Sequence, residues 1–191
     1  MKKHITLLAL LFVFAAAQAQ TAIPVDSFLG VKFGATAEEV ANKMRLAGAG
    51  ADKKSSKKDY LVFAGMQYGK WKPEYVYFKL SNGKVFEGGA YFKPAQNNLA
   101  IALYNSIKHY ISLTYSEGTD KNRIPVTYND GENETAAIEL GNAVYTCHWV
   151  EDVSRSKFNT IDMAINPDLV TQLWFTEAKE SLKGNKNIKS K

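Results

Sequence analysis

The chain has 191 residues, with 24 basic and 19 acidic side chains and a net charge of +5. The excess belongs to the ends, Lys2 and Lys3 at the start and Lys183, Lys186, Lys189 and Lys191 at the finish, so the body between them is close to neutral. A folded nucleic-acid binder carries its positive charge on the fold, and that class is excluded; the single cysteine, Cys147, excludes an intrachain disulfide.

Met1 to Ala19 reads as a secretory signal peptide. Lys2 and Lys3 form its positive start, Ile5 to Ala17 its apolar stretch, and Ala17-Gln18-Ala19 its cleavage site, so the mature chain is expected to begin at Gln20. The apolar stretch is too short to span a bilayer, and no later run is long enough. No cysteine stands beside the cleavage site to carry a lipid. What remains, about 170 residues, suits one sizeable core or two small fused units. The expected organisation is a single α+β domain over residues 20–182, with a basic tail at 183–191.

Phe28 to Gly34 is an extended lead-in. Thr36-Ala37-Glu38-Glu39 is a capping box, Thr36 capping and Glu39 answering three residues on. The helix it opens runs to about Leu46 and stops at Gly48-Ala49-Gly50. Those glycines follow a helix instead of joining strand to helix, so they read as a cap and linker and not as a phosphate loop. Lys53 to Lys58 is a solvated basic loop, and a strand follows from Tyr60 to Tyr68. Trp71 lies in the turn Gly69 to Pro73.

The run from Glu74 to Leu80 alternates, with Val76, Phe78 and Leu80 on one face and Tyr75, Tyr77 and Lys79 on the other. Asn82-Gly83 signals a tight reversal, because both residues tolerate positive φ. The return strand, Val85 to Lys93, puts Phe86, Gly88, Ala90 and Phe92 on one side and Glu87, Gly89, Tyr91 and Lys93 on the other. A two-residue loop would pair Phe78 with Glu87 and bring an acid to the core. A three-residue loop, or a bulge at Gly88-Gly89, is therefore expected, pairing Leu80 with Phe86.

A long amphipathic helix is predicted from Asn97 or Asn98 to about Ser116. Its apolar stripe is Leu99, Leu103, Ile107 and Ile111, flanked by Tyr104 and Tyr110, and Gly118 stops it. Strand-like runs follow at Ile124–Tyr128, Thr135–Leu140, Ala143–Val150 and Phe158–Ile165. Asp130, Glu132 and Glu134 lack the ligand spacing of a calcium loop and read as a hairpin tip. After the turn Asn166-Pro167-Asp168, the run Leu169 to Thr176 suits either a helix or a last strand, and the strand is preferred. Cys147 reads as a small buried apolar residue, with a reactive thiol or an intermolecular bridge as the alternatives.

The order is helix, three strands, helix, four or five strands: an α+β fold with an antiparallel sheet, helices on one face, and two loosely repeated halves at about 28–93 and 97–176. The segment Gly30-Val31-Lys32-Phe33-Gly34-Ala35-Thr36-Ala37-Glu38-Glu39-Val40 resembles the opening motif of BamE-like envelope proteins. The tandem arrangement resembles that of the β-lactamase inhibitor protein family. The resemblance implies an exported bacterial domain with a concave antiparallel sheet. It carries over no contact residue, and the lipid-bearing cysteine of BamE-like proteins is missing.

The catalytic inventory is empty. After cleavage only His109 and His148 remain. His148 adjoins Cys147 on a strand, where neighbours point to opposite faces. No nucleophile elbow, zinc-protease or phosphate-loop pattern occurs. No catalytic residue, metal ligand or cofactor is assigned. The expected function is a non-catalytic binding domain of the bacterial envelope, periplasmic or extracellular. It would use an open sheet face bearing Trp71, Tyr75, Tyr77 and Tyr91 to meet a protein, peptide or glycan. The alternatives are a carboxylate-based hydrolase acting on glycans and a structural envelope component.

Overall fold

The computed structural model describes residues 23–128, 133–154 and 157–178. The expected signal peptide at 1–19, the expected basic tail at 183–191, and Asp130 and Glu132 of the acidic cluster lie outside them.

A two-stranded hairpin, β1 (Ser27–Phe28) and β2 (Val31–Lys32), leads into α1 (Ala37–Leu46). The capping box forms as the sequence predicts: Thr36 Oγ1 accepts from the Glu39 amide, and Glu39 accepts from the Thr36 amide at 2.6 Å. Val40 and Met44, four apart, are the buried residues of α1. The rest of the first half is β3 (Gly50–Ala51), β4 (Tyr60–Ala64), β5 (Tyr75–Ser81) and β6 (Lys84–Phe92). The predicted strand to Tyr68 stops at Ala64, where Gly65 turns the chain at φ +84°.

The second half repeats the order: α2 (Ala100–Tyr115), β7 (Thr119–Asp120), β8 (Tyr145–Ser154), β9 (Lys157–Ile165) and β10 (Thr171–Thr176). Between β7 and β8 stand a 3-10 turn at Val126–Tyr128 and a short helix, α3 (Glu134–Glu139). Two predicted strands are therefore helical. Pro125 has no N–H for a ladder, and its carbonyl instead accepts from the Tyr128 amide. Ala137 and Ile138 are adjacent and both buried, which a strand with one buried face cannot achieve. The preferred strand after Asn166-Pro167-Asp168 is β10. Its turn is closed by the Leu169 amide on the Asn166 carbonyl, with Leu169 at φ +60°.

All eight strands β3 to β10 form one antiparallel sheet, in the order β3-β4-β5-β6-β10-β9-β8-β7. The first half's four strands are mirrored by the second half's, and the last strand of each half meets the other along a ladder running from Thr171↔Phe92 to Thr176↔Glu87. The ladders are continuous from one edge to the other. One row of partnered residues crosses every strand: Ala51, Phe63, Val76, Ala90, Leu173, Met163, Cys147, Asp120. The central pair is Ala90↔Leu173, with four strands of each half on either side of it.

The core lies on the side of that row. Val76, Phe78, Ala90, Phe92, Leu173, Phe175, Ile161 and Met163 join one cluster with Val40 and Met44 of α1 and Ala100, Tyr104, Ile107 and Ile111 of α2. Tyr104 meets Tyr145 edge-on, and Tyr115 meets Phe175. The α2 stripe differs from the predicted one, since Leu99 is exposed and Ala100 and Tyr104 are buried. A strict spacing of four drifts about 40° per step at 3.6 residues per turn. Ala100, Tyr104, Ile107 and Ile111 alternate four and three and stay on one face.

The β5–β6 hairpin meets its register constraint in a third way. The loop is the two-residue Asn82-Gly83, with φ +53° and +74°. Leu80 pairs with Val85, not with Phe86. A bulge between Lys79 and Leu80 leaves Phe86 as the extra residue, so that Lys79 pairs with Glu87 and Phe78 with Gly88. The acid is thus sent to the outward face and the core keeps Val85. The bulge falls before Gly88-Gly89 instead of on it because Gly88 must stay inward: a Cβ there would stand 2.8 Å from Phe28 Cβ.

The sheet margins are covered. The Asp52 amide donates to the Val62 carbonyl and Ser56 Oγ accepts from the Val62 amide, so the basic loop closes the edge of β4. The Lys121 amide donates to the Thr146 carbonyl of β8, and the Arg123 amide to the Val144 carbonyl just before it.

Candidate functional site: the outward face of the sheet

Alternation along each strand sends every second residue to the side away from the core row. Two rows face outward. One is Val62, Tyr77, Gly89, Trp174, Asp162, His148, Thr119; the other is Tyr75, Tyr91, Gln172, Ala164, Thr146. Tyr75, Tyr91, Gln172, Trp174, Asp162, Ala164, Thr146 and His148 keep part of their surface exposed. Val62 and Tyr77 are buried, yet stand apart from the core cluster.

The first half of this face is aromatic. Tyr75 stacks on Tyr91 at 4.6 Å between ring centroids, Tyr77 tilts against Tyr91 at 5.7 Å, and Tyr60 stacks on Tyr77 at 5.3 Å. Tyr77 is the floor of the group. Its ring lies over Gly89, where a Cβ would approach it to 2.6 Å, and its hydroxyl donates to Glu87 at 2.8 Å. Lys79 bridges to the same carboxylate at 2.8 Å and lies over the Tyr77 ring. Of the four predicted site residues, Tyr75 and Tyr91 present themselves outward and Tyr77 supports them. Trp71 is not brought to them. It packs on Tyr110 of α2, and Tyr110 in turn meets Tyr68, so Trp71 belongs to the helix side. The missed member is Tyr60, which the register pairs with Lys79.

The second half of the face is polar. His148 Nδ1 and Asp162 Oδ1 are 2.5 Å apart, and Thr160 Oγ1 donates to the other Asp162 oxygen at 3.0 Å. Trp174 sits between this group and Gly89, one strand from each. Its outward direction follows from Leu173 and Phe175 being inward. The pairing of His148 with Asp162 needed the β8–β9 register, which no local pattern supplies.

Burial raises the pKa of the Tyr60 hydroxyl to about 12, with nearby Tyr91 and Glu87 adding to it. Tyr77 is pushed higher still, first by burial and then by Glu87. On the core side, Cys147 lies buried against Gly118 and Tyr104. Its thiol is pushed up to about 12, chiefly by burial, then by Asp120. A thiol so protonated is a poor nucleophile, which favours the buried apolar role over the reactive one. A raised pKa means the fold prefers the protonated form, so the stabilisation is whole below the unfolded pKa and is lost as pH rises through the folded one. For Cys147 that window runs from 9.0 to about 12 and for Tyr60 from 10.0 to about 12. The thermal midpoint is expected to fall steadily across pH 9–12 in melts followed by circular dichroism. A midpoint unchanged to pH 12 would contradict this burial.

Among the described residues no group of three or more His, Cys, Asp and Glu is placed to hold a metal ion. No described helix is long and apolar enough to cross a membrane. No protein-family model, no curated protein and no solved structure matches this chain.

Proposed function

We propose that the chain is an exported, non-catalytic binding domain of the bacterial envelope, which meets its partner with the outward face of the sheet. The observation that carries the reading is the stacked group Tyr60, Tyr75, Tyr77 and Tyr91, built on a glycine floor and held by Glu87 and Lys79. Rigid tyrosines offer contact area at low entropic cost, which is why binding surfaces favour them. Export is supported by the residues of 1–19. The resemblance to BamE-like and β-lactamase inhibitor protein-like domains remains a proposal. It rests on Gly30 to Val40 and on the order of elements.

The alternatives are less well supported. A carboxylate-based hydrolase needs two acids free to act on one bond. Here Glu87 is engaged by Tyr77 and Lys79, and Asp162 by His148 and Thr160. A structural component assembling edge to edge would want long bare edges, whereas β3 and β7 are two residues each.

The test is affinity capture from bacterial envelope extract by the mature chain, with variants. Tyr75→Ala with Tyr91→Ala is expected to lower recovery of the captured partner at least tenfold, while Trp71→Ala leaves it unchanged. Equal recovery by all three proteins would overturn the reading.

A further inference from the structure

We propose that a cleft at one end of the aromatic group, walled by Tyr60 and Phe86 and rimmed by Lys57 and Lys58, holds the C-terminal residue of a partner polypeptide. The lysines take its free carboxylate, and its apolar side chain packs against Phe86. The inference rests on the reading of the outward face as the binding surface and names the part of the partner that meets it.

The cleft has a volume of about 400 Å³. Lys57, Lys58 and Tyr60 line it from the start of β4 and the loop before it, and Lys79, Leu80 and Phe86 from the bulge of the β5–β6 hairpin. Tyr60 also stacks on Tyr77, so the cleft and the aromatic group are continuous. Phe86 points most directly to a ligand. It is the extra residue at the bulge. Its side chain is half-buried, joins no part of the core cluster and meets no other ring among the described residues. A ring that the core does not use leaves apolar surface on the wall of a cleft, the usual lining of a binding site.

The charges of the cleft do not balance. Lys57 and Lys58 are exposed, and neither forms an ion pair with a described residue. Asp59, the acid that lines the cleft, offsets one of them, and Lys79 is answered by Glu87. One positive charge is left over. Lys53 and Lys54, set against Asp52 in the same loop, have the same sign but do not line the cleft. Lys93, after Phe92, and Glu74, before Tyr75, stand at the far end of the aromatic group. The complement of the cleft is therefore a group with a single negative charge.

That group must also be apolar. An acidic sugar or a phosphate-bearing headgroup would set hydroxyls or a second charge against Leu80 and Phe86, where nothing answers them. The end of a polypeptide supplies a carboxylate and an apolar side chain on one Cα. An internal Asp or Glu has its carboxylate at the tip of a side chain, with no apolar group beside it. The residues before the terminus would then lie over Tyr60, Tyr91 and Tyr75, which continue from the cleft. The main chains of β5 and β6 are committed to their ladders. Pairing with a peptide backbone needs a free edge, so side chains and the terminus carry the contact.

The experiment titrates the mature chain with a short acetylated glycine-serine peptide ending in phenylalanine with a free carboxylate. The same peptide as its C-terminal amide, octanoate and phenyl phosphate are the comparisons. Binding is read by calorimetry and by the ring signals of Tyr60 and Phe86 in NMR spectra. Saturable binding of the free-acid peptide is expected, with the amide at least tenfold weaker. Lys57→Ala with Lys58→Ala is expected to weaken it at least tenfold without altering the circular dichroism spectrum. Lys43→Ala, which removes the same charge beside Gly30 and outside the cleft, leaves it unchanged. Phe86→Ala is expected to weaken binding and Phe86→Leu to restore part of it. Failure of the free-acid peptide to bind, equal binding of acid and amide, octanoate binding where the peptide does not, tighter binding of phenyl phosphate, or indifference to the lysine pair overturns the inference. If the tyrosine variants lose the captured partner while the peptide does not bind, the terminus is wrong and the binding face stands. If the peptide does not bind and capture is also indifferent to the tyrosines, both fall.

Discussion

Replacing Phe28 by Ala is expected to cost about 3–5 kcal/mol of stability, the range for deleting a fully buried aromatic ring. Phe28 comes from the short hairpin that precedes α1 and belongs to no strand of the large sheet, so a reading by element would call it dispensable. Its ring is 2% exposed and lies 5.2 Å from Phe175, 5.9 Å from Phe78 and 6.0 Å from Tyr68. Phe78 belongs to the first half and Phe175 to the second, so Phe28 joins β5 and β10 across Gly88, the residue it covers. Its loss would leave a cavity at the place where the halves meet. Urea denaturation should show a lower midpoint with an unchanged slope. A cost below about 1 kcal/mol would mean the hairpin is not seated on the sheet.

Gly89→Ala sets two effects of opposite sign against each other. Glycine within a strand costs about 0.5–1 kcal/mol relative to alanine through backbone entropy, so propensity alone predicts a stabilised protein. The geometry predicts the reverse. A Cβ at Gly89 would stand 2.6 Å from the Leu173 carbonyl oxygen and 2.6 Å from the Tyr77 ring. The first of these is main chain on the partner strand of the central ladder and can move only if β6 and β10 part. Overpacking of this kind costs about 1–3 kcal/mol, which outweighs the entropic gain, so a net loss is expected. It should be accompanied by altered Tyr77 and Tyr91 ring signals in NMR spectra. A stabilised variant with unchanged ring signals would show that the two halves are not clamped at this point.

The outline of the fold was legible because its signals are local. Thr36 and Glu39 specify a helix start through atoms three residues apart. Alternation from Tyr75 to Leu80 specifies a strand and its two faces, and Asn82-Gly83 specifies the reversal. Where local signals are weak or compete, the rest of the chain decides. Thr135 to Leu140 has a strand-like composition but buries two consecutive residues, which only contact with the rest of the chain could reveal. In the hairpin, parity excludes some pairings without saying which residue will be left over, and the inward demand of Gly88 beneath Phe28 decides it.

Local spacing is enough to read the α+β class, the antiparallel strands, the outward direction of Tyr75 and Tyr91, and the absence of a local catalytic motif, since each depends on residues within about ten of one another. That β6 pairs with β10, that one sheet joins the two halves, that Trp71 belongs to the helix side, and that His148 meets Asp162 beside Trp174 emerge only in the assembled chain. Those facts depend on which strands become neighbours. That choice is made by the fit of whole surfaces, Phe28 on Gly88 and Tyr77 on Gly89 among them, and no stretch of sequence carries it alone.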